Sequence, residues 1–279
     1  MWLKDGDQNT KFFHGKAAQR RRRNYFKMLR DALGKWCTQQ DQVVDTIVNF
    51  YQDLFTTSNP SDFEEVADTI PQLVTHEMND MLLAESKVEE VESALRQMAP
   101  LKALRPDGMP PLFYQSYWSL LGSDVTQSIL LFLNSGSMPK ALGHSLITLI
   151  PKVKNPEFIS ELRPISLSNV PYRVFVKVLA NQLKLIMPRL ISKQQSAFMS
   201  DLLISNNILV AFESLHYMRN HGTGKFGYMV LKLDMSKAYD CVEWKYMEKI
   251  LEKVDFLRKV ETFDDGMHHQ CILFDANKW

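Results

Sequence analysis

The sequence predicts a helix-dominated α+β fold. Apolar residues recur at helical spacing along most of the chain, two short segments alone have strand character, and no repeat is visible at solenoid periods. The 279 residues are 45% hydrophobic and 23% charged, enough apolar material for a sizeable core. That stock, with only 11 Gly and 12 Pro, excludes disordered, collagen-like and low-complexity classes.

The elements follow in order. Residues 11–30 join Arg20, Arg21, Arg22 and Arg23 to Lys11, Lys16, Lys27 and Arg30, with Phe12, Phe13, Tyr25 and Phe26 interleaved. Such a basic helix fits a phosphate backbone, or equally the acidic region that follows. Val43, Val44, Ile47, Phe50, Tyr51 and Leu54 mark an amphipathic helix over 41–55, and Thr56 to Ser61 a loop. Ser86-Lys87-Val88-Glu89 reads as a capping box opening a helix through Val88, Val91, Leu95 and Met98, with Pro100 as its stop.

Two further helices are expected at Pro111 to Leu121 and Ser123 to Leu133, separated at Gly122 and closed by Asn134-Ser135-Gly136. Leu146 to Ile150 is short, β-branched and capped by Pro151, which predicts a strand. Val170 starts a helix with Pro171 in its first turn, Phe175, Leu179, Leu183 and Ile186 on one face, and Pro188 as its end. Ile204, Ile208, Ala211, Leu215 and Met218 mark another, ended by Gly222 and Gly224. Tyr228 to Asp234 alternates as a strand ending in a carboxylate, and Trp244, Met247, Leu251 and Val254 mark the last helix.

The net charge of +1 conceals opposed segments. Residues 1–30 carry nine Lys/Arg against two acids, 31–100 three against fourteen, 101–200 eleven against four, and 201–279 ten against twelve. Two segments of net +7 fit a polyanion partner, although charge blocks also serve as solvated faces. Cys37, Cys241 and Cys271 are too few and too scattered for a disulfide framework or a cysteine-rich zinc site. The histidines, from His14 to His269, have no metal-ligand spacing. No apolar run approaches the ~20 residues of a membrane span, and the first residues lack a secretory apolar core, which predicts an intracellular protein, nuclear or cytoplasmic.

The informative phrase is Leu231 to Asp240. A carboxylate at the end of a buried strand is held rigidly at a sheet edge, where its oxygens could coordinate Mg²⁺. Two-ion phosphoryl transfer needs such carboxylates in pairs or triples, since two dications ~4 Å apart must be neutralised around the attacking and leaving oxygens. By itself, an Asp after an apolar strand is weak evidence, and Asp234 reads sooner as the cap of the helix that follows.

With its neighbours, that phrase resembles the reverse transcriptase of non-LTR (LINE-type) retrotransposons, most closely the plant members. Trp2 to His14 resembles the segment before the polymerase core. Lys102 with Pro106-Asp107-Gly108-Met109-Pro110 resembles the family's K-A-P-G-P-D-G-x-P phrase, where Asp107-Gly108 reads as a turn rather than a catalytic acid. Leu149-Ile150-Pro151-Lys152 and Arg163-Pro164-Ile165-Ser166-Leu167 resemble fingers motifs, Gln195-Ser196-Ala197-Phe198 the next, and Leu233 to Asp240 the first palm motif.

The resemblance implies a right-hand polymerase fragment: a helical region over 1–85, fingers over 86–225, an incomplete palm over 226–258, a divergent tail over 259–279, and no thumb. It implies Asp234 as catalytic residue and ligand of two Mg²⁺ ions, assisted by the Met235 carbonyl. Tyr239 would be the aromatic gate that rejects a ribose 2′-OH. Lys152 and Arg163 would hold the incoming triphosphate, one a point charge and the other a planar fork. Arg20 to Arg23 would lie where template contact is made. The partners implied are an RNA template, a DNA primer and deoxynucleoside triphosphates.

The chain also departs from the family. Leu104 and Arg105 stand where Pro and Gly are usual, so a tight turn loses its glycine. Met199-Ser200-Asp201-Leu202 replaces Val-Pro-Gly-Arg, which weakens a backbone contact. The matching phrases stop near residue 258, before the Tyr/Phe-Ala-Asp-Asp hairpin that carries the second palm carboxylate. Thr262-Phe263-Asp264-Asp265-Gly266 looks like that hairpin only by chance spacing. The expectation is therefore no DNA synthesis by this chain alone. The alternatives are a nucleic-acid-binding remnant without polymerase activity, and a product of a decayed element with no molecular role.

Overall fold

The computed structural model describes residues 11–60, 64–101, 108–135, 140–143, 145–192, 194–196, 203–221, 228–235 and 237–256. In chain order these form α1 (Lys11–Asn24), β1 (Leu29–Arg30), β2 (Trp36–Cys37), α2 (Gln40–Phe55), α3 (Glu64–Asp68), α4 (His76–Leu83) and α5 (Val88–Arg96). After them come α6 (Pro111–Ser116), α7 (Trp118–Ser135), α8 (Lys140–Gly143), β3 (Ser145–Pro151), β4 (Leu162–Ser168), α9 (Val170–Leu190), α10 (Ile204–Asn220) and α11 (Trp244–Val254). Helices with two small antiparallel sheets, β1–β2 and β3–β4, are the helix-rich α+β class that the periodicities predict. Among the described residues no helix is long and apolar enough to cross a membrane.

Three apolar clusters hold the elements together. In the first, Val91, Ala94 and Leu95 of α5, Tyr114 of α6, and Ile129, Phe132 and Leu133 of α7 pack on Tyr172, Val174, Phe175 and Val178 of α9. Each large side chain fully buried in it contributes roughly 1.5–3 kcal/mol. The second joins Leu29 and Cys37 to Val43 and Tyr51 of α2 and to Ile159 and Leu162 beside the β3–β4 hairpin. The third places Val74, Met78 and Leu82 against Ile186 of α9 and Val254 and Phe256 at the end of α11. α9 thus serves the first cluster with its first half and the third with its last turns.

The local starts and stops obey backbone chemistry. Asn169 caps α9, its Oδ1 accepting from Tyr172 N at 3.0 Å, with Pro171 in the first turn where its missing N–H is not needed. Pro188 does not end the helix, which continues to Leu190, because a proline in the last turn forfeits a single backbone bond. Ser86 is not the cap of α5. Lys87 is, and Glu90 rather than Glu89 reaches back, accepting from Lys87 N at 2.7 Å. The Ser86 hydroxyl instead accepts from Gln182 Nε2 of α9 at 3.1 Å, and α5 ends at Arg96, before Pro100.

The break between the next two helices falls at Tyr117, not at Gly122. Gly122 sits inside α7 because the Trp118 ring lies against it, and a Cβ there would come within 2.8 Å of Trp118 Cε2. Val44, expected on the apolar stripe of α2, is 48% exposed, while Val43 and Tyr51 are buried.

The larger corrections concern strands. Leu162–Ser168, not foreseen as a strand, is the partner of β3, with Pro151 opposite Leu162, Ile150 opposite Arg163 and Ser145 opposite Ser168. Pro164, opposite Leu149, is tolerated because alternate residues of a two-stranded ribbon turn their N–H to the open edge, and the Lys152 N to Glu161 O bond puts the Leu149–Pro164 pair among the non-hydrogen-bonded ones. Conversely, Tyr228–Asp234 has no strand assignment, and its alternating residues Met229, Leu231 and Leu233 are 85%, 71% and 80% exposed. A strand needs a partner for its ladder, and none of the described residues supplies one. α10 forms where its spacing predicts, but Ile208, Leu215 and Phe212 along it are exposed. Gly222 and Gly224, its expected stop, lie outside the described residues.

Candidate nucleotide site and nucleic-acid interface

The β3–β4 hairpin sets two of the expected site residues. Paired residues of an antiparallel ribbon point to the same side, and residues two apart on one strand do so as well. Arg163 pairs with Ile150, and Lys152 lies two residues beyond Ile150, so both cations belong to one face of the hairpin end. Lys152 is pinned there by backbone and side chain. Lys152 N donates to Glu161 O at 2.8 Å and Lys152 Nζ to Ser160 O at 2.9 Å. Glu161 in turn accepts from Glu157 N at 2.7 Å and Phe158 N at 3.2 Å, which fixes the connecting loop. Arg30 of β1 ties that loop to the second core, through its N–H to Glu157 O at 2.7 Å and its guanidinium stacked 4.5 Å from the Trp36 ring.

The second component is the turn after Asp234. Lys237 takes a left-handed φ of 51°, and its carbonyl accepts from Asp240 N at 3.0 Å and Cys241 N at 3.1 Å. The Lys237 ammonium sits 3.8 Å from the centre of the Phe50 ring of α2. A cation–π contact of this kind contributes about 0.5–2 kcal/mol, more as water is excluded.

Asp240 lies half-buried beside it. Burial pushes its carboxyl above the usual carboxylate range, against the pull of Lys237 and Lys152. Burial draws the Lys237 ammonium down, with Asp240 opposing. The Tyr51 hydroxyl is pushed up to about 12 by burial and then by the Asp240 charge. Lys152 therefore acts electrostatically on both charged members of the turn that carries Tyr239. Lys152 is thus within electrostatic range of a turn whose Tyr239 lies 87 positions further along the chain.

Residues following α2 clamp the segment after the turn. Glu243 accepts from Thr57 Oγ1 at 2.6 Å, Ser58 Oγ at 2.7 Å and Ser58 N at 3.0 Å, and these hydrogen bonds hold its carboxyl below the usual range. Lys245 Nζ donates to Asn59 Oδ1 at 3.0 Å. Between the clamp and the turn lies a cavity of about 60 Å³ lined by Leu54, Phe55, Tyr239, Asp240 and Trp244. It has room for a few waters and not for a nucleotide, so a substrate would lie on the open side, where Tyr239 is 53% exposed.

Asp234 and Met235 are exposed, on the unpaired segment before the turn. A carboxylate and a backbone carbonyl are oxygen donors of the kind Mg²⁺ takes. Among the described residues, however, no group of three His, Cys, Asp or Glu side chains is placed to share a metal ion. That donor set does not amount to a two-ion site. Asp264 and Asp265 lie outside the described residues, as do Lys102, Pro106, Asp107 and residues 197–202.

The basic segment forms α1 as expected, with Arg20, Arg21, Arg22 and Arg23 exposed. Consecutive helical residues are rotated by about 100°, so four arginines in a row cannot share a face. The spacing instead gathers Phe12, Lys16, Arg20 and Arg23 into one stripe, on which the Lys16 ammonium lies 5.7 Å from the Phe12 ring.

Sequence reasoning missed Lys237 and Asp240, although both stand in the quoted palm phrase. It also missed Phe50, whose apolar spacing on α2 concealed its contact with a charge.

Comparison with known proteins bears on the family. Residues 150–276 match the family model described as reverse transcriptase (RNA-dependent DNA polymerase). That match begins within β3, takes in Lys152, Arg163, Asp234 and Tyr239, and runs past residue 258 through Asp264 and Asp265. Over 256 residues the chain is 27% identical to the Transposon TX1 uncharacterized 149 kDa protein of Xenopus laevis, a span that covers 91% of this chain and 19% of that protein. The relative's similarity thus extends across nearly the whole chain, which spans about a fifth of that protein's length, while the family match covers the hairpin and the Asp234 segment; together they support a reverse transcriptase domain of the non-LTR retrotransposon kind.

Proposed function

We propose that this chain is the nucleotide- and template-holding part of an RNA-directed DNA polymerase, with residues 86–225 as fingers and 226–258 as part of the palm. The observation that carries this reading is the placement of Lys152 and Arg163 on one face of the hairpin end, with Lys152 within electrostatic reach of the Tyr239 turn. A triphosphate held by those cations would set its sugar towards Tyr239. A point charge and a planar fork together neutralise and orient the phosphates, while an aromatic ring leaves no space for a 2′-hydroxyl.

The proposed partners are an RNA template, a DNA primer and deoxynucleoside triphosphates, with α1 following the template through Arg20 to Arg23. Asp234, with the Met235 carbonyl, is the proposed donor to the divalent ion that the family uses. Because the described donors fall short of a two-ion site, no chemical step is assigned through it. The remaining residues bind and orient.

Equilibrium binding of dATP to the full chain tests the reading. Lys152→Ala and Arg163→Ala should each weaken binding by about tenfold, the weight of a charge-assisted contact of roughly 1.4 kcal/mol. Unchanged affinity in the double variant would overturn it.

A further inference from the structure

α2 lies outside residues 150–276, yet its ring Phe50 touches the turn that follows Asp234. Lys237, at the head of that turn, has a left-handed backbone that a non-glycine residue adopts at a cost. Something must hold it there. Its carbonyl closes the turn by accepting from Asp240 N and Cys241 N, and its side chain is anchored by the 3.8 Å contact with Phe50. On the far side, Glu243 is fixed by Thr57 and Ser58, and Lys245 by Asn59. Tyr239 is therefore suspended between two anchorages, both supplied by α2 and the four residues after it.

We infer that Lys237 is a positioning residue, whose ammonium seated on the Phe50 ring fixes the Tyr239 turn, so that discrimination between deoxyribo- and ribonucleotides depends on α2. This rests on the proposed reading of Tyr239 as the sugar-facing residue. Lys237 need not touch the nucleotide. Its effect passes through the backbone it holds, and release of the ammonium lets the strained turn relax and carry the Tyr239 ring away from its place.

The test is the ratio of dATP to ATP affinity, measured by equilibrium dialysis of each labelled nucleotide against the full chain. Wild type should favour dATP. Lys237→Met and Phe50→Leu should each reduce the ratio by about fivefold, the weight of a partly desolvated cation–π contact. The double variant should be no worse than either single one, as expected of partners in one contact. Lys237→Arg should retain the ratio, because a guanidinium also stacks on an aromatic ring. Lys237→Gly should lose it even though glycine relieves the backbone strain, which separates the anchor from the turn itself.

If Lys237→Met weakens dATP and ATP equally with the ratio unchanged, Lys237 is only a phosphate-facing charge and the inference fails, while the proposed function stands. If wild type binds neither nucleotide, the proposed function fails and takes the inference with it. Should Lys237→Met not fold, Phe50→Leu, which leaves the ammonium and removes only the ring, gives the same reading.

Discussion

The Asn79 side-chain amide donates a 2.8 Å hydrogen bond to the carbonyl of Asp255, 176 residues away in the chain. Asn79 is 2% exposed, and Asp255 ends α11 in a left-handed conformation with φ of 71°. The bond, with Val74 N donating to Val254 O at 3.0 Å, stitches the last described helix to α4 and the segment before it. Asn79→Ala removes a buried donor and should cost about 1–3 kcal/mol in urea unfolding. Asp255→Gly, which relieves the left-handed backbone while keeping the carbonyl, should be neutral or stabilising.

Glu243 gives a pH dependence. Its folded pKa lies below the unfolded one, so its contribution is fully present above the ordinary glutamate value and is lost as pH falls through the depressed one. Asp68, whose carboxyl the paired Lys253 ammonium holds down, has the same sign. Stability measured from pH 7 downward should therefore fall in the acid range, and Glu243→Gln should flatten part of that slope. Because Glu243 is well solvated, the effect should stay under about 1 kcal/mol.

Gly122 tests the packing of α7. Alanine is the better helix former by about 1 kcal/mol, but its Cβ would press into the Trp118 ring at 2.8 Å. A ring confined on a helix gives way less readily than a flexible chain end, and overpacking costs about 1–3 kcal/mol. Gly122→Ala should therefore be net destabilising, read as a lowered thermal midpoint, and Gly122→Ala with Trp118→Leu should recover it.

The stripe on α1 predicts an asymmetry among the four arginines. If Lys16, Arg20 and Arg23 face one backbone, Arg20→Ala with Arg23→Ala should lower the slope of log affinity for single-stranded RNA against log salt by about 1.4, from two contacts at about 0.7 each. Arg21→Ala with Arg22→Ala should lower it by less. Equal losses from the two pairs would show that α1 binds without a preferred face.

Helices were legible because their signal is local. The stripe Val43, Ile47, Tyr51 and Leu54, or Asn169 followed by Pro171, needs only neighbours in the chain to be read. Strand status was not legible, since it depends on a partner. Arg163 to Leu167 contains a proline and looks like a loop until β3 lies beside it, whereas Tyr228 to Asp234 alternates well and finds no partner among the described residues. The candidate site divides in the same way. Lys152, Arg163 and Tyr239 could be singled out as candidates from the phrases around them, but Phe50 could not, because its helical spacing suits a core position and only the folded chain brings an ammonium over it.

α9 gives the molecule a practical property. Its first turns complete the cluster with Tyr114, Ile129 and Phe132, and its last turns complete the one with Met78, Leu82 and Val254. Cutting the chain between Ala180 and Gln182 would leave each piece with an unfinished interior, and neither should fold until the other is added.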